Sequence, residues 1–153
     1  MTVARFAFVV CLAGLLISLM VAIVLKVTYA SGASAASIFM MMHPAAKIGV
    51  IVLVPLALIS TGLAVAHRLK RRRNNGLALA LRGLAVACVA IGAGCALLAW
   101  SGLSRSLQQA GSVSFGVVAP SWVEIASVLA LGFLPAVIAL LGAAPVRVER
   151  RGL

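Results

Sequence analysis

The chain has 153 residues, of which 64% are hydrophobic and only 10% are charged, and its mean hydropathy is +1.22. A soluble domain carries about a quarter charged residues, so this composition excludes an ordinary soluble domain and predicts an integral membrane protein. The net charge is +11, but the basic residues cluster at the ends of apolar runs, so anionic lipid headgroups are the expected counter-charge and nucleic-acid binding is not expected.

The first apolar run covers residues 6–25 and carries no charge between Arg5 and Lys26. Twenty residues of helix span about 30 Å, the thickness of the hydrocarbon core, so the run predicts a first transmembrane helix over residues 6–28. A cleaved signal peptide ending near Ala33-Ser34-Ala35 is the alternative. The run is longer than the usual apolar core of a signal peptide, about 7–15 residues, which favours a retained helix.

The second predicted helix covers residues 47–67 and contains Pro55. A membrane bundle tolerates such a proline when neighbouring groups satisfy the freed carbonyl. The connection before this helix, residues 29–46, is predicted on the outer side of the membrane and is compatible with a short interfacial helix over residues 35–42.

A strongly basic stretch follows the second helix and is predicted to form a loop over residues 67–76, which ends in the turn Asn74-Asn75-Gly76. Short basic loops stay on the cytoplasmic side of a membrane. We therefore interpret this stretch as a topological anchor that faces lipid headgroups. Its basic residues are Arg68, Lys70, Arg71, Arg72 and Arg73.

The third predicted helix covers residues 77–101, with Arg82 near its start, where the side chain can reach back to the headgroups. Small residues recur at four-residue spacing along this helix, and such a face allows another helix to approach closely. We expect a packing seam there, either within the subunit or between subunits. Its residues are Gly83, Ala87, Ala90 and Gly94, and Gly132 with Ala136 repeats the spacing further along the chain.

The fourth predicted helix covers residues 122–143 and follows an outer connection over residues 102–121. Within this connection, residues 112–119 show the alternation of an extended segment. Ser121 and Glu124 form the S-x-x-E pattern of a capping box, which predicts that the fourth helix begins there.

The distribution of charge predicts the orientation in the membrane. With four spans, the N-terminus, the basic loop and the C-terminal tail share one side, which holds ten of the thirteen basic residues. That side is expected to be cytoplasmic, so both termini are predicted inside, in a bacterial inner (plasma) membrane. Tyr29, Trp100 and Trp122 all fall at the opposite ends of their helices, as in an outer aromatic belt.

Two groups of side chains have the chemistry of a functional site. Met40-Met41-Met42-His43 offers the soft ligands that suit Cu(I), with Met41 and His43 as the candidate metal ligands. Three consecutive helical residues point in three directions, so an interfacial apolar patch is the preferred interpretation. Glu124 is the only acidic residue on the predicted outer side. Membrane carboxylates carry protons or bind cations, but the capping box favours a structural role here.

Other features of the sequence argue against an enzyme. The chain contains no Asp and has no carboxylate at a predicted midplane, so neither a Ser-His-Asp set nor a proton relay within the bundle can be assembled. No C-x-x-C pair and no phosphate-binding glycine-rich loop is present. Cys11, Cys88 and Cys95 lie inside apolar runs and are interpreted as packing residues. No cofactor is expected.

These observations predict an all-α protein with a single transmembrane domain, a bundle of four helices with both termini inside. The expected function is that of a small, non-catalytic accessory or assembly subunit that packs against another membrane protein through the small-residue face of the third helix. The expected partners are a membrane protein or, for the alternative below, further copies of the chain in a homo-oligomer. The alternative is a small oligomeric transporter or channel, in which helices broken at Pro55 and Pro135 would expose backbone carbonyls to a substrate path. Metal handling through Met40–His43 is a third alternative.

Overall fold

Four long α-helices make up the described protein. The structure is a computed structural model, and it describes residues 3–29, 34, 40, 42–69, 75–111 and 113–144. Each of the four helices is long and apolar enough to cross a membrane, and the described residues contain no strand. The prediction of an all-α bundle of four such helices is therefore confirmed. The helices are α1, Val3–Tyr29; α2, Pro44–Leu69; α3, Asn75–Ala110; and α4, Phe115–Ala143.

The connection between α3 and α4 is much shorter than predicted. α3 continues to Ala110, and Gly111 then adopts φ +70°. Glycine takes this left-handed conformation without a steric penalty and commonly ends helices, whereas the residues before it are mostly good helix formers such as leucine, glutamine and alanine. α4 begins at Phe115. The predictions of a connection over residues 102–121 and of an extended segment over residues 112–119 are therefore wrong.

At the opposite end, α2 and α3 also extend beyond their predicted limits. α2 ends at Leu69, so His67 and Arg68 belong to its last turn instead of a loop, a position where the helix dipole favours basic side chains. α3 begins at Asn75, so the prediction that Asn75 and Gly76 form a turn is wrong. Two other predicted features lie largely outside the described residues. One is the part of the basic loop that contains Lys70, Arg71, Arg72 and Arg73, and the other is the interfacial helix over residues 35–42.

α4 is the central helix of the bundle. It packs against α1, α2 and α3, whereas α1 packs closely only against α4. Half of the membrane-length part of α4 is buried, compared with 6% of the corresponding part of α1. Because α2 and α3 also pack against each other, α1 is the peripheral helix.

Glycines allow the helices to approach α4 closely. A Cβ atom on Gly92 of α3 would lie 2.8 Å from the Cα atom of Gly132 of α4, which is closer than such atoms pack. Neither position therefore accepts a side chain unless the two helices move apart. α4 has a close contact at a glycine with each of the other helices. Gly132 lies against Gly92 of α3, Gly142 lies against Ala64 of α2, and the ring of Phe133 lies against Gly14 of α1.

The packed interior consists of small and branched apolar side chains. One cluster joins Leu53 of α2, Cys88 of α3 and Val128 of α4. Cys88 is a free, fully buried thiol, which agrees with its interpretation as a packing residue. A second cluster joins α3 to the C-terminal half of α4 and contains Leu81, Ala85, Ala136, Ala139 and Ala143.

Aromatic side chains gather at one end of the bundle. Trp100 of α3 and Trp122 of α4 have ring centroids 4.8 Å apart, and Tyr29 of α1 meets Phe115 of α4 edge to face at 5.2 Å. We call this the aromatic end. The opposite end, where α1 and α3 begin and α2 and α4 end, is called the basic end.

Candidate functional site

The small-residue seam predicted on α3 does not pack within the subunit. Gly83, Ala87, Ala90 and Gly94 are all exposed, and a Cβ atom on Gly83 or Gly94 would meet no other atom within 4 Å. As a seam inside the subunit, the prediction is wrong, because the face that packs against α4 carries Gly92. A residue two positions along a helix points about 160° away. We call the four exposed residues the α3 glycine–alanine face.

The α3 glycine–alanine face points away from α4. The opposite face of α3 forms a buried stripe in which small residues recur every three or four positions. Larger exposed side chains border the glycine–alanine face, among them Leu79, Val86 and Leu97. Gly132 and Ala136, the small residues predicted in the fourth helix, are both buried in the bundle. The buried stripe of α3 consists of Leu81, Ala85, Cys88, Gly92, Ala96 and Ala99.

Glu124 contacts a different helix from the one predicted. α4 begins at Phe115, more than two turns before Glu124, so the prediction that Ser121 and Glu124 cap this helix is wrong. The N-cap residue of α4 is Ser114, which makes no side-chain cap hydrogen bond. Glu124 is only 7% exposed, and its Oε1 accepts a hydrogen bond of 2.7 Å from the backbone N–H of His43. Glu124 therefore joins α4 to the start of α2.

The start of α2 shows why a carboxylate is useful at this position. His43 is the N-cap residue: its carbonyl accepts a hydrogen bond from the N–H of Ala46, and its Nδ1 accepts one from the N–H of Ala45 at 3.3 Å. Pro44 occupies the first helical position, where its fixed φ and missing donor are favourable. In a capping box, a Glu at the third helical position bonds back to the N-cap N–H. That position is Ala46, so Glu124 supplies the missing bond from α4.

Positive charge lies beside this carboxylate. A negative group is favoured at the N-terminal end of a helix, and the ammonium group of Lys47 acts on Glu124 as a nearby positive charge. Lys47 Nζ donates a 2.8 Å hydrogen bond to the carbonyl of Met40. The His43 ring lies against α3, where a Cβ atom on Gly102 would come within 3.0 Å of its Nε2. We call this contact of α2, α3 and α4 the polar junction; it consists of His43, Lys47, Gly102 and Glu124.

The residues of the metal alternative are described only in part. Met41 lies outside the described residues, and Met42 packs against the apolar cluster around Leu53. His43 uses Nδ1 to accept the hydrogen bond from Ala45. Among the residues that the structure describes, no group of three or more His, Cys, Asp or Glu side chains is arranged to hold a metal ion.

At the basic end, a side chain of α2 caps α4. Arg68 Nη2 donates a 2.9 Å hydrogen bond to the carbonyl of Leu141, in the last turn of α4. The last carbonyls of a helix have no intrahelical partner, and a cation near them is favoured by the helix dipole. His67 precedes Arg68 on α2, and its Nδ1 is buried and has no hydrogen-bond partner in the described part of the chain. Arg68, predicted as a topological anchor, thus has a structural contact as well.

An apolar groove runs between α1 and α3, with α4 as its floor. One cavity, of about 470 Å³, lies between α1 and α3 at the basic end. Toward the aromatic end, a cavity of about 420 Å³ lies between α3 and α4, and one of about 280 Å³ lies between α1 and α4. The latter two share Trp122, Ile125 and Leu129 of α4 as lining residues. α1 and α3 scarcely contact each other across it. We call this feature the α1–α3 groove.

Comparisons of the chain with protein families, with curated proteins and with solved structures gave no match. Function is therefore inferred from three features of the chain itself. These are the α3 glycine–alanine face, the polar junction and the α1–α3 groove.

The polar junction was not predicted, although its start has a sequence signal. His43-Pro44 before an apolar run is a polar N-cap candidate followed by proline at the first helical position. Its acidic partner lies 81 positions further along the chain. No local pattern links two such residues, and the S-x-x-E pattern at Ser121 offered a nearer explanation for Glu124.

Proposed function

We propose that this protein is a small, non-catalytic accessory or assembly subunit of a larger membrane complex. The α3 glycine–alanine face is its contact surface for a transmembrane helix of another membrane protein. One observation carries the proposal: this face has the composition of a helix–helix interface, yet the described residues of the chain leave it uncovered.

Glycines in the rest of the bundle show what such a face does. Gly92, Gly132 and Gly142 each lie so close to a neighbouring helix that a Cβ atom would approach its backbone within 3 Å. In a membrane, lipid tails are as apolar as leucine, so helices associate through close packing at small residues instead of through apolar area. The α3 glycine–alanine face offers a second surface of this kind, which a partner helix would cover.

The buried polar side chains support a non-catalytic role, because their hydrogen bonds serve the fold. Ser18 donates to the carbonyl of Gly14 and Ser60 to that of Leu56, each one turn earlier in its own helix. Glu124 accepts the N–H at the start of α2. These three are the buried polar residues of the described chain, and each has an intramolecular partner.

The transporter or channel alternative depends on helices that break at their prolines. α2 continues as a helix through Pro55, and α4 continues through both Pro120 and Pro135. Helices of this form present no unwound segment of backbone carbonyls to a substrate, as broken transporter helices do. The accessory-subunit proposal is therefore the better supported of the two.

The proposed location is a bacterial inner membrane, with both termini in the cytoplasm. The support is the charge distribution of the sequence: with four spans, the N-terminus, the basic stretch and the C-terminal tail would share one side, with ten of the thirteen basic residues, and short basic segments stay inside. The aromatic end, with Trp100, Trp122 and Tyr29, would then lie at the outer interface, where such side chains are common.

Two glycine variants test the proposed contact surface. Gly94 belongs to the α3 glycine–alanine face, and Gly62 is a matched control on α2; both are exposed, and a Cβ atom on either meets no atom within 4 Å. Wild type, Gly94→Leu and Gly62→Leu are purified in mild detergent from native membranes. Native gels give the size of each complex, and mass spectrometry identifies the chains in it.

We expect wild type and Gly62→Leu to purify with a larger partner in fixed stoichiometry, and Gly94→Leu to lose it while remaining folded. Equal retention of the partner by both variants would show that the face is not the contact surface. A stable homo-oligomer without another chain would instead favour the transporter or channel alternative.

A further inference from the structure

The largest cavity of the α1–α3 groove has a charged residue at its edge. The cavity, of about 470 Å³, is lined by apolar side chains of α1 and α3, by Leu140 of α4 and by Arg82. Val86 and Ala90, which also line it, are exposed, so the cavity opens sideways toward the space that the bilayer would fill. An apolar cavity with a single guanidinium group at its edge has the two parts of a lipid site, one for a chain and one for a headgroup.

Arg82 lies at the level of the lipid headgroups. The chain between Arg82 and Arg105 is uncharged and helical, and it spans about 34 Å at 1.5 Å per residue. The hydrocarbon core is about 30 Å thick, so the two arginines bracket it, one at each interface. Arg5 and Lys26 bracket α1 in the same way, which puts the start of the groove at the basic-end interface on both helices.

The guanidinium group of Arg82 has no counter-charge in the described part of the chain. It makes no hydrogen bond or ion pair there, and the one described carboxylate, Glu124, belongs to the polar junction at the other end of the bundle. Arginine binds phosphate through two parallel hydrogen bonds, and basic pockets between membrane helices on the cytoplasmic side bind anionic headgroups. The missing negative charge is therefore best supplied by a lipid phosphate.

The size of the cavities favours a lipid chain over a helix as the occupant. A transmembrane helix about 10 Å in diameter and 30 Å long occupies on the order of 2,000 Å³. The three cavities of the groove measure about 470, 420 and 280 Å³, and α4 closes the groove from behind. The cavity at the basic end admits a narrow, flexible chain but not a helix.

We propose that the α1–α3 groove binds one anionic phospholipid at the basic end of the bundle. Its phosphate pairs with Arg82, and one acyl chain lies along Ala7, Cys11 and Val89. The cavity shares Ala90 with the α3 glycine–alanine face, but Arg82 and its other lining residues do not belong to that face, so the lipid would lie beside the surface proposed for the partner helix. The lipid site does not depend on the proposed subunit function.

A photoreactive lipid tests this site directly. Purified protein is placed in bilayer nanodiscs that contain either phosphatidylglycerol or phosphatidylcholine with a diazirine on the acyl chain, and the labelled residues are mapped by mass spectrometry. We expect the phosphatidylglycerol probe to label the groove residues of α1 and α3 about five-fold more than the phosphatidylcholine probe, the preference that one basic side chain near the surface provides.

Two matched pairs of variants distinguish the contact with the lipid headgroup from the contact with the acyl chain. Arg82→Gln should abolish the preference for phosphatidylglycerol, whereas Arg105→Gln, an exposed arginine at the other end of α3, should keep it. Ala7→Leu, which narrows the cavity, should reduce labelling by both probes, whereas Ala13→Leu, on the exposed surface of α1, should not. The fluorescence of Trp100 and Trp122 verifies that each variant is folded.

Three results would overturn the proposal. One is equal labelling by the two probes in wild type, which would mean ordinary bilayer contact. Another is a phosphatidylglycerol preference that survives Arg82→Gln. The third is a co-purified protein that shields the groove from both probes, which would make a partner helix its occupant.

Discussion

Two glycines that lie two residues apart on α3 should respond in opposite ways to the same substitution. In Gly92→Ala, the new Cβ atom would lie 2.8 Å from the Cα atom of Gly132 and 3.4 Å from the carbonyl oxygen of Val128. Both are backbone atoms, so no side chain can rotate away to relieve the contact. In Gly94→Ala, the new methyl group meets nothing within 4 Å.

The difference between the two variants isolates the helix–helix contact. Alanine is favoured over glycine in a helix by about 1 kcal/mol, and this gain is the same at both positions. Restoring a carbon–carbon contact of about 3.5–4.0 Å at Gly92 requires α3 and α4 to separate by roughly 1 Å. Overpacking of this kind costs about 1–3 kcal/mol. Gly92→Ala should therefore be less stable than Gly94→Ala by about 1–3 kcal/mol, or roughly 2–12 °C in Tm.

Tryptophan fluorescence gives a direct measure of this contact. Trp100 of α3 and Trp122 of α4 are 4.8 Å apart, so their emission reports the separation of these two helices during thermal unfolding in detergent. Equal Tm values for Gly92→Ala and Gly94→Ala, or a lower value for Gly94→Ala, would refute the assignment of Gly92 to the buried face.

Three further predictions concern other parts of the bundle. Glu124→Ala should lower the free energy of unfolding by about 1.5–3 kcal/mol, because the backbone N–H of His43 loses its carboxylate acceptor, while Ser121→Ala should change it by less than about 0.5 kcal/mol. Equal losses for the two variants in thermal unfolding would instead support the capping box of Ser121 and Glu124. Leu53→Ala should cost about 2–5 kcal/mol, since this side chain is fully buried, and a Tm like that of wild type would contradict the described core. Neutralising the three arginines at 71–73 should reduce the fraction of chains with the C-terminus inside, as measured by C-terminal reporter fusions, and an unchanged fraction would show that other charges set the orientation.

The number of helices could be predicted from the sequence, but their ends could not. Hydropathy identifies the part of a helix that fits the bilayer, about 20 residues. α3 has 36 residues, or about 54 Å of helix, so it extends well past the apolar run in both directions. Polar residues near the interface continue a helix as readily as they end it, and the true stop after α3 is the left-handed Gly111.

The S-x-x-E pattern was the other source of error. It predicts that the fourth helix begins at Ser121, which leaves Pro120 in the connection before it. Pro120 lies instead inside α4, which begins at Phe115. Because the S-x-x-E pattern offers Glu124 a local role, its real partner at the start of α2 was missed.

Hydrophobicity does not distinguish the buried and exposed faces of these helices. Ser18 is the buried residue of α1, whereas Ile17 and Met20 beside it are exposed. In a membrane, an apolar side chain that faces lipid tails is kept from water just as one that faces another helix is. The larger apolar residues therefore need not lie inside the bundle. The positions of small residues are more informative, because only they permit close backbone approach.

The pattern of buried residues also indicates how many neighbours each helix has. On α4, the consecutive positions Val123 to Ala126 are all buried. Successive helical residues point about 100° apart, so burial of four in a row requires neighbours on every side, as expected for the central helix. α3 has small residues on two opposite faces, but its neighbours α2 and α4 leave the face from Gly83 to Gly94 uncovered. By the same reasoning, the partner helix that we propose would be the neighbour of α3 at that face.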